Sequence, residues 1–163
     1  MTRGIWIVTT IYLAAVADTV VAPLLAVHGV TPDFLALTAT LLTFVVRGPA
    51  GMIMAAMAGG VADLSSPGRY GPGMAAFGTV AFVIDATRFK ALRRPSAQLA
   101  VAFAAVAAMS LGVAVVRGLL RELEWSPASY LAGAVGTGLY TTVAALPCLF
   151  FVNRFAQRQA GAF

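Results

Sequence analysis

Long stretches without charged side chains run through most of this sequence and limit what it can fold into. Hydrophobic residues make up 60% of the 163 residues and only 10% are charged, whereas an ordinary soluble domain has about 25% charged residues. A soluble fold this poor in charge could not cover its own surface. Disorder is excluded too, because disordered chains combine low hydrophobicity with high net charge. The composition therefore predicts a polytopic, all-α integral membrane protein.

Six apolar segments are candidate transmembrane helices, since a bilayer core of about 30 Å needs about 20 apolar residues per helix. They cover about residues 5–27, 33–46, 48–64, 73–89, 97–120 and 128–152. We expect one polytopic membrane domain over residues 1–163, folded as a six-helix bundle. The second and third segments are short, so they form either two tilted spans, which we prefer, or a re-entrant pair. Pro32, Pro49 and Pro127 are expected in the first turn of a helix, where no N–H bond is lost.

The first segment resembles a signal peptide, with Arg3, an apolar run and a possible cleavage box at Ala15-Val16-Ala17. Because hydrophobicity resumes after Asp18 and continues to Val27, we expect an uncleaved signal-anchor helix.

The distribution of basic residues predicts the orientation, because cytoplasmic loops carry an excess of Lys and Arg. With a cytoplasmic N-terminus, the inner segments hold Arg3, Arg47, Arg88, Lys90, Arg93, Arg94, Arg154 and Arg158. The outer segments hold only Arg69, Arg117 and Arg121. Both termini are therefore predicted in the cytoplasm. The net charge of +5 follows from this bias and does not indicate nucleic-acid binding.

Three aspartates lie inside predicted spans, where charged side chains are costly and need a reason. Asp18 and Asp63 are at similar depths in helices that run in the same direction, so their carboxylates are expected at one level of the outer half. There they would share a proton or recruit Arg69, Arg117 or Arg121. A register-fixing polar contact, a ligand or proton site, and a contact with a partner remain open. Asp85 is expected to pair with Arg88, one helical turn on.

Small residues recur at every fourth position and would allow helices to approach closely. In the third segment the series is Gly51, Ala55, Gly59 and Asp63, and the sixth segment has Ala132-xxx-Gly136 and Ala134-xxx-Gly138. The longest series, in the fifth segment, is Ala100, Ala104, Ala108 and Gly112. Packing inside the bundle is the simpler interpretation. The alternative is that the fifth segment receives the helix of another protein.

Polar residues near the predicted turns have simple interpretations. Asp33 follows Pro32 at a helix start, where a carboxylate favours the helix dipole, and His28 is interpreted as interfacial. The stretch from Arg117 to Trp125, which includes Arg121, is amphipathic and predicts either a short interfacial helix or an extension of the fifth helix. The basic run from Arg88 to Arg94 is interpreted as a topology signal, with anionic lipid or a cytoplasmic partner as the alternative.

The residue inventory argues against common chemistries. The chain has one cysteine and one histidine, so a structural zinc site of Cys and His is excluded. The motifs HExxH, CxxC, GxSxG and GxxxxGK[ST] do not occur, which argues against a hydrolase or NTPase built on them. We therefore expect no enzyme activity, no metal and no cofactor.

The block from Thr31 to Gly71 resembles the MreD family of rod shape-determining proteins. The resemblance lies in Pro32-Asp33 opening an apolar helix, in Arg47-Gly48-Pro49, in Gly51, Gly59 and Gly60 before Asp63-Leu64, and in the Pro/Gly-rich turn that follows. It implies a non-enzymatic scaffold and regulator of peptidoglycan synthesis in the rod complex of the bacterial inner membrane. The implied partners are MreC and also MreB, RodA, its penicillin-binding transpeptidase and membrane lipid, with homo-oligomers left open.

The resemblance also implies a fold similar to the substrate-binding S-components of energy-coupling factor transporters. Asp18, Pro32, Asp33, Gly51, Gly59 and Asp63 would then shape the bundle and an outer pocket. The fifth-segment series with Arg117 and Arg121 is the candidate partner surface. The alternative function is a small-molecule-binding subunit of a transporter. A polar cavity under a lid would favour the transporter, and a packed apolar bundle would favour the scaffold.

Overall fold

The computed structural model describes the backbone of residues 2–27, 30–46, 48–66, 68–87, 95–120 and 126–160, with the side chains of 2–4, 95–96 and 147–160 left out. Apart from one isolated bridge between Val27 and Val30, all regular structure in these ranges is helical. The all-α class predicted from composition is confirmed.

Six helices follow one another in these described ranges. Helix α1 consists of an α-helical part, Thr2–Val16, a π-helical turn, Ala17–Val21, and a last α-helical turn, Ala22–Leu24. The others are α2 (Phe34–Val45), α3 (Pro49–Ser65), α4 (Pro72–Ala86), α5 (Pro95–Leu119) and α6 (Pro127–Ala160).

Prolines and one aspartate mark where several helices begin. Pro49, Pro72 and Pro127 are the first residues of their helices, where the missing N–H removes no intrahelical bond. The prediction for Pro32 is wrong, because α2 begins at Phe34 with Asp33 as its N-cap. The extended backbone of Asp33 lets its carboxylate accept from the N–H of Ala36 at 2.6 Å, so Pro32 stays outside the helix.

Helix α2 lies at the centre of the bundle. It packs against all five other helices, while α1–α3, α3–α4, α4–α5 and α5–α6 pack as neighbours around it. Leu35 and Ala39 are fully buried, and so is Thr40, whose hydroxyl bonds to the carbonyl of Ala36 at 2.9 Å. Buried residues of α4 and α5, among them Phe77 and Val106, complete the core.

The outer helices α1, α3, α4, α5 and α6 form an incomplete ring around α2, with a seam between α1 and α6. Within the described residues, α1 and α6 make little or no direct contact with each other. A hydrogen bond of 2.6 Å from the hydroxyl of Tyr140 in α6 to the carbonyl of Leu25 bridges this seam. The seam therefore separates the first helix from the last one, beside the central α2.

Within the part of the chain that the structure describes, two helices are long and apolar enough to cross a membrane by length and composition, over Ile5–Leu24 and Ala97–Leu119. Helices Phe34–Val45 and Pro72–Ala86 are apolar but shorter. At 1.5 Å per residue the central helix is about 18 Å long, well short of a bilayer core. The six-span count predicted from hydropathy thus stays a prediction.

Candidate binding cavity

A partly open cavity of about 510 Å³, with both polar and apolar lining, lies at the end of the bundle where α1 and α3 end and α2 and α4 begin. Residues from all six helices or their adjoining turns line it: Asp18, Ala22, Pro23, Thr31, Pro32, Asp33, Ala62, Asp63, Ser66, Gly73, Phe77, Ser110, Val113, Arg117 and Thr137. Its size is in the range of small-molecule sites. Three carboxylates and one guanidinium give it a strong local charge pattern.

Asp63 joins the end of α3 to the beginning of α4. Its carboxylate accepts hydrogen bonds from the backbone N–H of Gly71 at 2.9 Å, of Gly73 at 2.8 and 3.0 Å, and of Met74 at 3.2 Å. The first N–H groups of a helix have no intrahelical partner, and a negative charge there is favoured by the helix dipole. Asp63 therefore caps α4 from another helix, although only 2% of its side chain is exposed.

Close approach of two glycines makes this capping possible. A Cβ on Gly59 of α3 would overlap the carbonyl oxygen of Gly73 in α4. A Cβ on Gly73 would lie 2.8 Å from Oδ1 of Asp63. Both positions therefore need glycine so that the Asp63 carboxylate can reach the N-terminus of α4.

Arg117 of α5 is the basic side chain that Asp63 recruits. Nη2 of Arg117 lies 3.8 Å from Oδ1 of Asp63, and the Arg117 side chain is 15% exposed. This separation is longer than a charge-assisted hydrogen bond, so the pair is an electrostatic contact. Nε of Arg117 is buried and makes no hydrogen bond within the described part of the chain. The guanidinium therefore keeps donor capacity at the cavity.

Asp18 and Asp33 converge on the N-terminus of the central helix. Asp18 lies in the π-helical turn of α1, and its Oδ1 accepts from the N–H of Phe34 at 2.9 Å. Asp33 accepts from the N–H of Ala36. π-Helical turns inside α-helices are frequent at functional sites. The π-helical turn of α1 includes Asp18, whose side chain lines the cavity.

The last helix is tied to the start of α2 by a side chain that the sequence reasoning missed. The hydroxyl of Thr141, fully buried in α6, accepts from the N–H of Asp33 at 2.9 Å. Gly136 lies against Val30, whose Cγ2 would be 3.2 Å from an added Cβ. Threonines that bond their own helix are common in this chain, so sequence alone gave no sign that Thr141 bonds elsewhere.

The cavity brings together several residues that the sequence predicts as structural or pocket residues. Asp18 and Asp63 both line it, as do Pro32 and Asp33, but the two aspartates hydrogen-bond to different helix N-termini rather than to each other. Of the expected arginine partners, Arg117 fills the role. The capping role of Asp33 is confirmed.

Gly51 and Gly59 are buried in helix contacts and do not line the cavity. A Cβ on Gly51 would overlap the carbonyl oxygen of Val46 in the α2–α3 turn. Together with the fully buried Ala55, these residues form the α3 series of small residues. Packing inside the bundle, the simpler of the two interpretations, accounts for this series.

The α5 series divides between two environments. Ala100, Ala104 and Ala108 are exposed, while Gly112 packs against α4, with an added Cβ 3.0 Å from Cβ of Ala76. The buried face of α5 is instead formed by Ala102, Ala105, Val106 and Met109. The three alanines are thus not used for packing among the described helices.

Asp85 lies at the opposite end of the bundle. Its Oδ1 accepts from the N–H of Gly48 at 3.2 Å, which ties the end of α4 to the α2–α3 turn. Its expected partner Arg88 lies outside the described residues, as do His28, Arg47, the rest of the basic run to Arg94, and Arg121 to Trp125. Arg117 is within α5, which ends at Leu119.

Metal binding is not supported by the described residues. No group of three or more His, Cys, Asp or Glu side chains there could hold a metal ion. The cavity also contains hydroxyl groups that sequence reasoning did not single out: Thr31, Ser66, Ser110 and Thr137.

Long apolar helices and exposed apolar side chains are features typical of helical membrane proteins. The sequence model of one family, described as rod shape-determining protein MreD, matches residues 2–158. The chain therefore belongs to the MreD family, as the resemblance of Thr31 to Gly71 predicts, and this family acts in rod-shape determination. Searches of curated proteins and of solved structures found no match, so the expected likeness to S-components stays a prediction.

Proposed function

We propose that this protein is a non-enzymatic, multi-pass subunit of the inner-membrane rod complex that scaffolds and regulates peptidoglycan synthesis during cell elongation. The observation that carries the proposal is the family match over residues 2–158. In the proposal both termini are cytoplasmic and all six helices cross the membrane as a bundle. MreC is the direct partner, while MreB, RodA and its transpeptidase are reached within the same complex.

The exposed alanines of α5 support a helix-docking surface for MreC. Ala100, Ala104 and Ala108 follow one another at one turn each on a helix that is long enough to span the membrane. Small side chains let two helix backbones approach closely in lipid, where hydrophobic drive between helices is weak. Gly112 is already used against α4, so the surface consists of the three alanines alone.

Co-purification with MreC from the same organism tests the proposal. Both proteins are expressed together, and MreC bound to the tagged chain is quantified for wild type, Ala104→Leu and Ala75→Leu. Ala75 is exposed on α4 and is the matched control. We expect Ala104→Leu to lower MreC recovery severalfold and Ala75→Leu to leave it unchanged. Equal recovery of MreC with both variants would show that the docking surface is not on α5. Failure of wild type to bind MreC would refute MreC as the direct partner.

Orientation is tested separately by cysteine labelling. A cysteine placed at position 93, in a chain whose Cys148 is replaced by serine, is expected to react only with reagents that reach the cytoplasm. Labelling from the outside alone would reverse the topology.

One specific observation supports the alternative that the chain is a transporter subunit, namely the cavity of about 510 Å³. A packed apolar bundle without such a cavity would have favoured the scaffold alone. A cavity is compatible with a rod-complex subunit, and the family match favours that function. Co-purification with an energy-coupling membrane subunit and its ATPases, in place of MreC, would favour the transporter.

A further inference from the structure

We propose that the cavity binds the head group of an ethanolamine phospholipid, with its ammonium group against Asp18 and Asp33 and its phosphate against Arg117. The inference concerns a ligand of the cavity and does not depend on which proteins bind the outer helix faces.

The ammonium end of the ligand is indicated by two carboxylates at one helix N-terminus. Asp18 and Asp33 line the cavity, and their hydrogen bonds go to backbone N–H groups of α2. A carboxylate offers about four acceptor positions, so each of these cavity-lining carboxylates has acceptor capacity beyond the bonds it makes to α2. An ammonium group has three donors and a positive charge, and therefore complements both carboxylates at once.

The phosphate end is indicated by Arg117. Its contact with Asp63 is long, at 3.8 Å, and its buried Nε has no hydrogen-bond partner among the described residues. A guanidinium presents five donors in a planar fork that suits a phosphate group. A phosphate oxygen at Nε would satisfy this buried donor, whose desolvation otherwise costs free energy.

A simple cation does not account for the site as well as a zwitterion does. The described acidic side chains form no group that could hold a metal ion. A cavity of about 510 Å³ has room for a phosphoethanolamine group and part of a glycerol backbone. A ligand with both charges complements the carboxylates and the guanidinium, whereas a cation alone would complement only the carboxylates.

The seam between α1 and α6 indicates that the head group belongs to a membrane lipid and not to a free small molecule. Cavity-lining Asp18 and Pro23 belong to α1 and Thr137 belongs to α6, and in the described part of the chain these two helices make little or no direct contact. Both expose large apolar side chains, for example Leu24 and Leu139. Acyl chains that leave through the seam would lie against such side chains and remain in the bilayer.

Native mass spectrometry of the purified, delipidated full-length chain tests the proposal. The probes are phosphatidylethanolamine and phosphatidylglycerol with the same acyl chains, together with free phosphoethanolamine. Because one hydrogen bond to a charged group changes an affinity by roughly tenfold or more, we expect wild type to prefer phosphatidylethanolamine by about tenfold. Asp18→Asn should reduce the preference to about twofold, and Asp85→Asn, at the other end of the bundle, should keep it.

The following results decide the outcome. Equal binding of the two lipids by wild type, or a preference that survives in a folded Asp18→Asn protein, would overturn the proposal. Tight binding of free phosphoethanolamine without the lipid would overturn the lipid source. If Asp18→Asn does not fold, a phosphatidylethanolamine with a photoreactive group near its head group is cross-linked to wild type. Labelling of the α1 and α5 segments around Asp18 and Arg117 supports the site, and labelling spread over the outer helix faces refutes it.

Discussion

Removing the Asp63 side chain should destabilise the fold more than any other single change near the cavity. The carboxylate accepts from three backbone N–H groups at 2.8–3.2 Å and is 2% exposed, so water cannot replace it without opening the α3–α4 contact. Asp63→Ala would leave the N–H of Gly73 unsatisfied and the buried Arg117 without its anion.

The expected cost follows from these contacts. Breaking a buried ion pair by removing one partner costs about 3–5 kcal/mol, and a hydrogen bond to a charged group contributes about 1.5–3 kcal/mol. Because the contact with Arg117 is long and part of the loss is recovered by relaxation, we expect about 4 kcal/mol for Asp63→Ala. Asp63→Asn keeps one acceptor oxygen but loses the charge, and about 2 kcal/mol is expected.

Equilibrium unfolding in mixed micelles, followed by circular dichroism, measures these differences. Ser65→Ala is the matched control, because its exposed hydroxyl bonds to its own helix at the carbonyl of Val61, and its change should stay within about 0.5 kcal/mol. A double-mutant cycle with Arg117→Met should show coupling of about 1 kcal/mol or more. If Asp63→Ala costs no more than Ser65→Ala, the capping role of Asp63 is refuted.

Two further changes test the packing and the link to the last helix. Gly59→Ala should cost about 2–3 kcal/mol in the same unfolding assay, because its Cβ would strike backbone that cannot move aside. Gly60→Ala is its control, since its Cβ would meet the Met74 side chain at 3.4 Å, and equal costs would contradict the close contact. Thr141→Val should cost about 1–2 kcal/mol because it orphans the N–H of Asp33. Thr142→Val, which loses only a bond within its own helix, should cost less, and the reverse order would argue against the α2–α6 link.

Sequence reasoning identified the acidic residues of the cavity because charge inside an apolar segment is a strong signal. Asp18 and Asp63 stand out because a charged side chain inside a membrane span costs free energy. Asp33 stands out as a helix cap after Pro32. The expectation that an outer arginine would join Asp63 holds for Arg117. The helix periodicity could not say which aspartate would meet which N-terminus, since this depends on how helices distant in sequence are placed.

The hydroxyl groups and the π-helical turn were beyond the reach of sequence reasoning. Thr141 has the same local pattern as Thr142, yet one bonds across the bundle and the other bonds its own helix. The π turn at Ala17–Val21 changes which way Asp18 points, and hydropathy carries no signal for one extra residue in a turn. Hydropathy shows that the second segment is unusually short, but it does not predict the contacts of this helix with all five others.

The sequence by itself determined the all-α class and the family, because these follow from composition, from prolines and glycines where helices begin, and from local motifs. The tertiary structure decided that α2 is the hub, that the outer ring is open between α1 and α6, and that three carboxylates and Arg117 meet in one cavity. The physical reason is that hydrophobicity and capping act over one or two helical turns. Helix order around the core is instead set by close approaches such as Gly59 to Gly73, which form only when the whole bundle assembles.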